Sequence, residues 1–178
     1  MGDTDRTRWD AAYIDRDAAP TPALPTVFVG YKDLFPRRGT ALEIACGAGG
    51  AAVWLAQRGL DVRAVDVSGI AIGQARVLAE QHGVTARFDT VDLDGGLPPG
   101  DPADVVLCHK FREPDLYADL SARLKPGGLL AICVLSEVGA TPGRFRAVAG
   151  ELRSAFAGLD ELAAEEGDGQ AWLLARRR

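Results

Sequence analysis

The sequence predicts an α/β protein built on a doubly wound, mostly parallel sheet. Three observations carry that prediction. An apolar run at 41–46 breaks into the glycine-rich turn Gly47-Ala48-Gly49-Gly50, and the helix former Ala51-Ala52-Val53-Trp54-Leu55-Ala56 follows at once. About twenty residues on, a second apolar run ends in Asp66. A third run, 129–135, is apolar throughout, as a strand covered on both faces must be. Strand, glycine turn, helix, strand, acid is the arrangement that brings backbone N–H groups and a carboxylate to the carboxyl ends of parallel strands.

The elements follow in order. Trp9-Asp10-Ala11-Ala12-Tyr13 predicts a short helix before a proline-rich loop at 20–25. Leu24, Val27, Phe28, Tyr31, Leu34 and Phe35 recur at helical spacing, which predicts an amphipathic helix with Pro25 in its first turn. Strands are expected at 40–46, 61–66 and 85–90. The helices between them are closed by Gly59 and Gly83, and the second is opened by Ser68. The Pro/Gly-rich stretch before Asp104 leaves no room for a full crossover helix. A strand at 104–108, a helix opened by Pro114, and the tight turn Lys125-Pro126-Gly127-Gly128 lead into the strand at 129–135. Phe145, Val148, Ala149, Leu152 and Phe156 predict a last helix. Strands at 159–164 and 170–175 then flank Asp168-Gly169, a hairpin signal that makes the final pair antiparallel.

Composition bounds the function. The chain has 178 residues, 47% hydrophobic and 25% charged, which fits one ordered domain with a real core. A net charge of -5 disfavours non-specific nucleic-acid binding, and the Arg176-Arg177-Arg178 end is read as solvated. Cys46, Cys108 and Cys133 all lie in or beside apolar runs, the usage of a reducing compartment. No Cys/His spacing suits a metal. A polar N-terminus and the lack of a spanning run complete the expectation of a cytoplasmic protein without a membrane segment.

The ligand of the glycine turn has two readings at this level. Gly47-x-Gly49-x-x-Ala52 satisfies a dinucleotide fingerprint, which favours an NAD(P)-binding oxidoreductase. Against it, residues 1–39 precede the first strand, and no second domain is present to hold a hydride acceptor. Asp66 suits a ribose diol, with a charge supporting the following helix as the alternative. Asp92 suits an exocyclic amine, with a turn former beside Gly95 as the alternative. Glu43 lies inside an apolar strand, where an isolated charge is expensive, so the glycine-turn amides or water are expected to position it.

Leu42-Glu43-Ile44-Ala45-Cys46-Gly47-Ala48-Gly49, Ala64-Val65-Asp66-Val67-Ser68, Asp92-Leu93, Asp104-Val105-Val106-Leu107 and Leu124-Lys125-Pro126-Gly127-Gly128 stand in that order. With them the chain resembles the class I S-adenosylmethionine (SAM)-dependent methyltransferases over nearly all its length. Trp9-Asp10-x-x-Tyr13, Ala52-Val53-Trp54-Leu55-Ala56-x-x-Gly59 and Gly150-Glu151-Leu152-Arg153-x-x-Phe156 are similar to the small bacterial tellurite-resistance (TehB-type) group. The resemblance implies a Rossmann-like sheet of seven mostly parallel strands with an antiparallel C-terminal hairpin strand. It implies one domain, with 1–38 a helical lid or packing segment and 39–178 the SAM-binding core. The implied cofactor contacts are Trp9, Glu43, Ala45, Cys46, Gly47, Gly49, Asp66, Val67, Ser68, Asp92, Leu93 and Cys108, and S-adenosylhomocysteine is the implied product. Where that group commonly carries Arg after the glycines this chain has Gly50, so no substrate role passes to that position.

Methyl transfer asks the protein mainly to hold two reactants in line. Cys108-His109-Lys110-Phe111-Arg112 follows a strand's carboxyl end, so His109 or Arg112 is a candidate to orient the acceptor; a surface charge cluster is the alternative. Tyr13, with Trp9, is a candidate lid, or else an N-terminal packing contact. Nothing marks a dedicated general base, which leans toward a thiol or an already ionised small acceptor such as a chalcogen oxyanion. A non-catalytic SAM-binding protein stays open beside the enzyme, as do monomer and homodimer.

Overall fold

The computed structural model describes residues 3–14 and 21–178, so the proline at position 20 lies outside the described residues. The chain packs as two compact units, Met1–Pro99 and Gly100–Arg178.

The first unit opens with α1 (Asp3–Ile14), longer than the sequence suggested. It then alternates β1 (Thr40–Ile44), α2 (Gly50–Gln57), β2 (Asp61–Asp66), α3 (Gly69–Gln81) and β3 (Arg87–Thr90). The strands lie in the order β3-β2-β1, both pairs parallel, with Glu43 opposite Ala64 and Ile44 opposite Val65. This register brings the carboxyl ends of β1 and β2 side by side, so the glycine turn and Asp66 become neighbours. Val62, Ala64, Val65, Leu42 and Ile44 are buried, the pattern of strands covered on both faces. Ser68 caps α3 as expected, its Oγ accepting from Ala71 N at 3.1 Å.

The helix expected over 24–35 is instead a 3₁₀ segment, Thr26–Leu34. Phe28 N donates to Pro25 O at 2.8 Å, an i→i+3 bond that tightens the first turn. Tyr31 then leaves helical dihedrals (φ -114°, ψ 15°), and Pro36 holds Phe35 extended. The apolar stripe splits accordingly: Leu24, Phe28 and Phe35 are buried, whereas Tyr31 and Val29 are exposed. Phe35 meets Trp54 edge-on at 5.8 Å between ring centroids, and Arg58 lies over the Trp54 ring while donating to Phe35 O.

The second unit contains β4 (Ala103–His109), a 3₁₀ turn Pro114–Leu116, α4 (Tyr117–Ala122), β5 (Leu124–Leu135), α5 (Glu151–Ala155), β6 (Asp160–Gly167) and β7 (Gln170–Arg176). Its strands lie in the order β4-β5-β7-β6; β4 and β5 are parallel, and β7 runs against both its neighbours. The expected turn at 125–128 is a bulge inside β5. Pairing jumps from Ala103↔Leu124 to Val105↔Leu129, and a Cβ on Gly128 would lie 2.9 Å from Lys125 O. Asp168 and Gly169 both take positive φ (49° and 76°), the dihedrals of a type I′ hairpin turn. The seven-stranded, mostly parallel Rossmann-like fold and its antiparallel C-terminal hairpin are thus as the sequence predicts.

The last helix is the main departure, for only Glu151–Ala155 is helical. Gly150 sits left-handed (φ 76°) at its start, and Ala147 N is drawn off to Leu135 O at 2.7 Å. That bond spends a backbone donor a longer helix would need, and Phe145 and Val148 consequently stand 53% and 52% exposed. Among the described residues no helix is long and apolar enough to cross a membrane.

Candidate functional site

The first unit gathers a polar cluster at the carboxyl ends of β1 and β2. The turn after β1 alternates left-handed residues: Ala45 (φ 52°), Gly47 (φ 54°) and Gly49 (φ 82°). The turn spends three of its N–H groups within the protein: Cys46 N donates to Val65 O at 3.0 Å, Gly47 N to Asp66 Oδ2 at 2.8 Å and Gly49 N to Cys46 O at 3.0 Å. Ala45, one of the residues the resemblance places at the cofactor, holds a left-handed backbone that its side chain does not announce; a left-handed alanine costs on the order of 1 kcal/mol. The two glycines serve different ends. A Cβ on Gly49 would come within 2.7 Å of Ala75 Cβ, so Gly49 lets the turn pack on α3. A Cβ on Gly47 would collide with the Tyr13 hydroxyl, so Gly47 is the point where α1 meets the turn.

Asp66 binds this turn together. Its Oδ2 accepts from Gly47 N at 2.8 Å and its Oδ1 from Ser68 N at 2.9 Å. Burial nevertheless pushes its carboxyl above the usual range, against those backbone donors. Glu43 is more extreme. It is 3% exposed, and burial first, then the neighbouring Asp66 charge, pushes its carboxyl up to about 8 although Ala52 N–H donates to it. Among the described residues nothing donates to Glu43 Oε2. A buried acid with an unpartnered oxygen beside a second acid is a site that favours a cation or a hydrogen-bond donor. Cys46 is buried beside them, and burial followed by the charges of Glu43 and Asp66 raises its thiol, so it packs and does not react.

Tyr13 is buried against Gly47, with Trp9 6.4 Å away ring to ring. Two residues to which the sequence assigned no role at the site hold this helix: Asp10 accepts from Ser68 Oγ at 2.5 Å, and Gln74 Nε2 donates to Tyr13 O at 2.9 Å. Val67 and Leu93 are buried beside the cluster's strand ends. Asp92 is exposed; it starts the one-turn helix Leu93–Gly95 by accepting from Asp94 N at 3.0 Å.

In the second unit, Cys108 and His109 end β4, and His109 pairs in register with Cys133. Cys108 is buried, its Sγ 3.2 Å from Phe111 O. Burial, and then the Lys110 charge, lowers the His109 imidazole to about 4, so it is neutral at physiological pH. Lys110 is held left-handed (φ 60°) by its N–H bond to Cys133 O at 2.7 Å. Arg112 turns to Glu151, with both Nε and Nη2 at 2.7 Å in a forked pair that Tyr117 OH joins at 2.9 Å.

Residues 41–128 match the methyltransferase-domain family. That stretch is a methyltransferase domain. A ubiquinone biosynthesis O-methyltransferase of Cereibacter sphaeroides is 34% identical over 132 residues, 71% of this chain and 48% of the relative. Other curated relatives are covered to 31–38% of their length, so the chain spans about a third to a half of the curated proteins it matches. Among solved structures, TehB from Haemophilus influenzae superposes with a TM-score of 0.77 at 19% identity, covering 89% of this chain and 64% of that one. A protein from the conversion of a disulfide bond into a thioacetal group during echinomycin biosynthesis superposes with a TM-score of 0.72 at 24% identity, covering 97% and 92%. The methyltransferase domain holds Glu43, the glycine turn, Asp66 and Asp92, along with Cys108, His109 and Arg112.

Proposed function

We propose that the protein is a SAM-dependent methyltransferase that methylates a small-molecule acceptor, a thiol or a chalcogen oxyanion. The observation that carries this reading is the cluster of Glu43, the left-handed turn and Asp66 inside the stretch that matches the family. The residues fit SAM: an unpartnered buried carboxyl oxygen for its ammonium, a glycine turn that lets a ligand approach the backbone closely for its methionine portion, and an acid at the end of β2 for its ribose diol. SAM supplies an electrophilic methyl on a sulfonium.

In this reading Glu43 faces the ammonium, and Ala45, Cys46, Gly47 and Gly49 form the turn against the methionine portion. Asp66 accepts from the ribose hydroxyls, while Val67 and Ser68 shape that edge. Asp92 accepts from the adenine amine beside Leu93. Tyr13 and Trp9 exclude water as a lid, which raises every electrostatic interaction beneath them. His109, neutral above a pKa of about 4, accepts or donates one hydrogen bond to the acceptor. So low a basicity makes it a poor base for a neutral amine or alcohol, and this favours an acceptor already ionised at neutral pH. Arg112 supports the acceptor side by tying its loop to Glu151. Likeness to TehB and to the protein from disulfide-to-thioacetal conversion in echinomycin biosynthesis supports a soft acceptor atom, and a net charge of -5 supports a small molecule over RNA. The protein acts in the cytoplasm, as a monomer or homodimer.

Calorimetry with SAM and with NAD separates this reading from an NAD(P)-binding oxidoreductase. SAM is expected to bind at roughly micromolar concentration, and no heat at high micromolar SAM would end the proposal. S-adenosylhomocysteine release is then followed over thiols, selenite, tellurite, amines and phenols, with ribosomal RNA and ribosomal protein as further arms. Turnover with thiols or oxyanions is expected. Binding without turnover on any arm would leave a SAM-binding protein that is not an enzyme.

A further inference from the structure

We propose that Asp10 is the latch of the α1 lid, and that its bond to Ser68 couples closure of α1 over the glycine turn to occupation of the Asp66 site. The inference rests on the reading of Asp66 as the ribose acceptor. Five residues form a closed circuit. Asp10 accepts from Ser68 Oγ at 2.5 Å, and Ser68 N donates to Asp66 Oδ1 at 2.9 Å. Gly47 N donates to Asp66 Oδ2 at 2.8 Å, and the Tyr13 hydroxyl packs where a Cβ on Gly47 would stand. Tyr13 returns to Asp10 along α1, three residues away and hence on the same helix face. Gln74 Nε2, donating to Tyr13 O at 2.9 Å, is a second tether on the same face.

Ser68 is the hub of this circuit. It is fully buried, and its hydroxyl has a single proton. As cap of α3 the hydroxyl only has to accept, from Ala71 N at 3.1 Å. The proton is therefore surplus to helix capping, and it goes to Asp10 on another element. Asp10 Oδ1 also stands 3.3 Å from Ile70 N, so the lid carboxylate takes a first-turn N–H of α3 at the same time. A docked α1 fixes the Ser68 side chain, and through its own N–H the same residue holds Asp66. Coupling of this kind is reciprocal: whatever affinity the site gains from a docked lid, the lid gains in order from an occupied site.

The test measures SAM affinity and dissociation rate by calorimetry and stopped-flow fluorescence, together with hydrogen exchange of residues 3–14 with and without SAM. SAM is expected to protect residues 3–14 in the wild type. Asp10→Ala is expected to raise the SAM Kd about tenfold, mostly through faster dissociation, and to abolish that protection. Asp10→Asn keeps an acceptor oxygen and stays within about threefold of wild type. Ser68→Ala, which also removes the α3 cap, costs a similar factor in SAM affinity alone, and no more than about twofold in the Asp10→Ala background, where the bond between the two residues is already gone. Ser68→Ala reads the bond from its other side, so the test stands even if Asp10→Ala does not fold. Asp66→Ala, the control for the site itself, is expected to lose SAM binding by more than about a hundredfold. Loss with Asp66→Ala but wild-type affinity and protection with Asp10→Ala would overturn the latch and leave the site reading intact. Wild-type SAM affinity in Asp66→Ala would overturn the site reading and the latch with it. Effects of Asp10→Ala and Ser68→Ala that multiply would overturn the link through Ser68.

Discussion

Two acidic clusters, one in each unit, solve opposite problems. Around Glu43 and Asp66 the carboxyls are buried against backbone N–H groups and each other, and burial drives both above their usual range. Around Glu151 the carboxylate has Arg112 in a fork, the Tyr117 hydroxyl and Val148 N–H, and those donors overcome burial to hold it below the usual range. One cluster is short of donors and the other has a full set. A saturated carboxylate is finished as a structural joint, whereas an acid left short of donors is stable only where a ligand or a proton supplies what is missing. The second case is the one proposed as the site.

The largest effect expected from this comparison is on the saturated side. Arg112→Ala strands Glu151, whose side chain is 13% exposed, beside Tyr117. It should cost about 3 kcal/mol, roughly 8 °C in Tm by calorimetry, with SAM affinity moving less than about twofold. A SAM affinity that fell with Tm unchanged would place Arg112 on the ligand side and erase the contrast.

The next effect is a slope. A carboxyl raised from 4.5 to about 8 in the folded state stabilises the protein fully below the lower value, and the contribution is lost as pH rises through the upper one. The SAM-free protein therefore loses stability between about pH 5 and pH 8, and Glu43→Gln removes that loss. Glu151 has the opposite sign: held low, it contributes above its ordinary pKa and the contribution disappears as pH falls through the folded value. Tm measured against pH for wild type and Glu43→Gln checks this. Equal slopes would mean that Glu43 is not short of donors after all.

The smallest effect belongs to His109. With its imidazole at about 4, the rate shows no inflection from it near pH 6.5, and His109→Gln raises the acceptor KM about threefold with kcat nearly unchanged. An inflection between pH 6 and pH 7 that vanished in the variant would make His109 a general base and broaden the acceptor class to amines and alcohols.

The legible part of the molecule was the part written in neighbouring residues. Apolar runs located β1, β2 and β4, and a helix-forming run and a helix period located α2 and α3; Asp168-Gly169 announced its hairpin, and Ser68 its cap. The same periodicity failed where local chemistry competed with it. Pro25 and Pro36 tightened 26–34 into a 3₁₀ turn, and a backbone bond from Ala147 to Leu135 with Gly150 left-handed shortened α5.

What the sequence determined by itself was the order of elements, the glycine turn and the acids that end its strands, because each depends on the residues beside it. What only the tertiary structure decided was which groups meet. Asp10 reaches Ser68 across 58 residues and Arg112 reaches Glu151 across 39, while Glu43 Oε2 is left without a donor among the described residues. Those outcomes turn on distances of a few tenths of an ångström set by packing. A side chain with several possible partners reveals its choice only once the chain has closed around it.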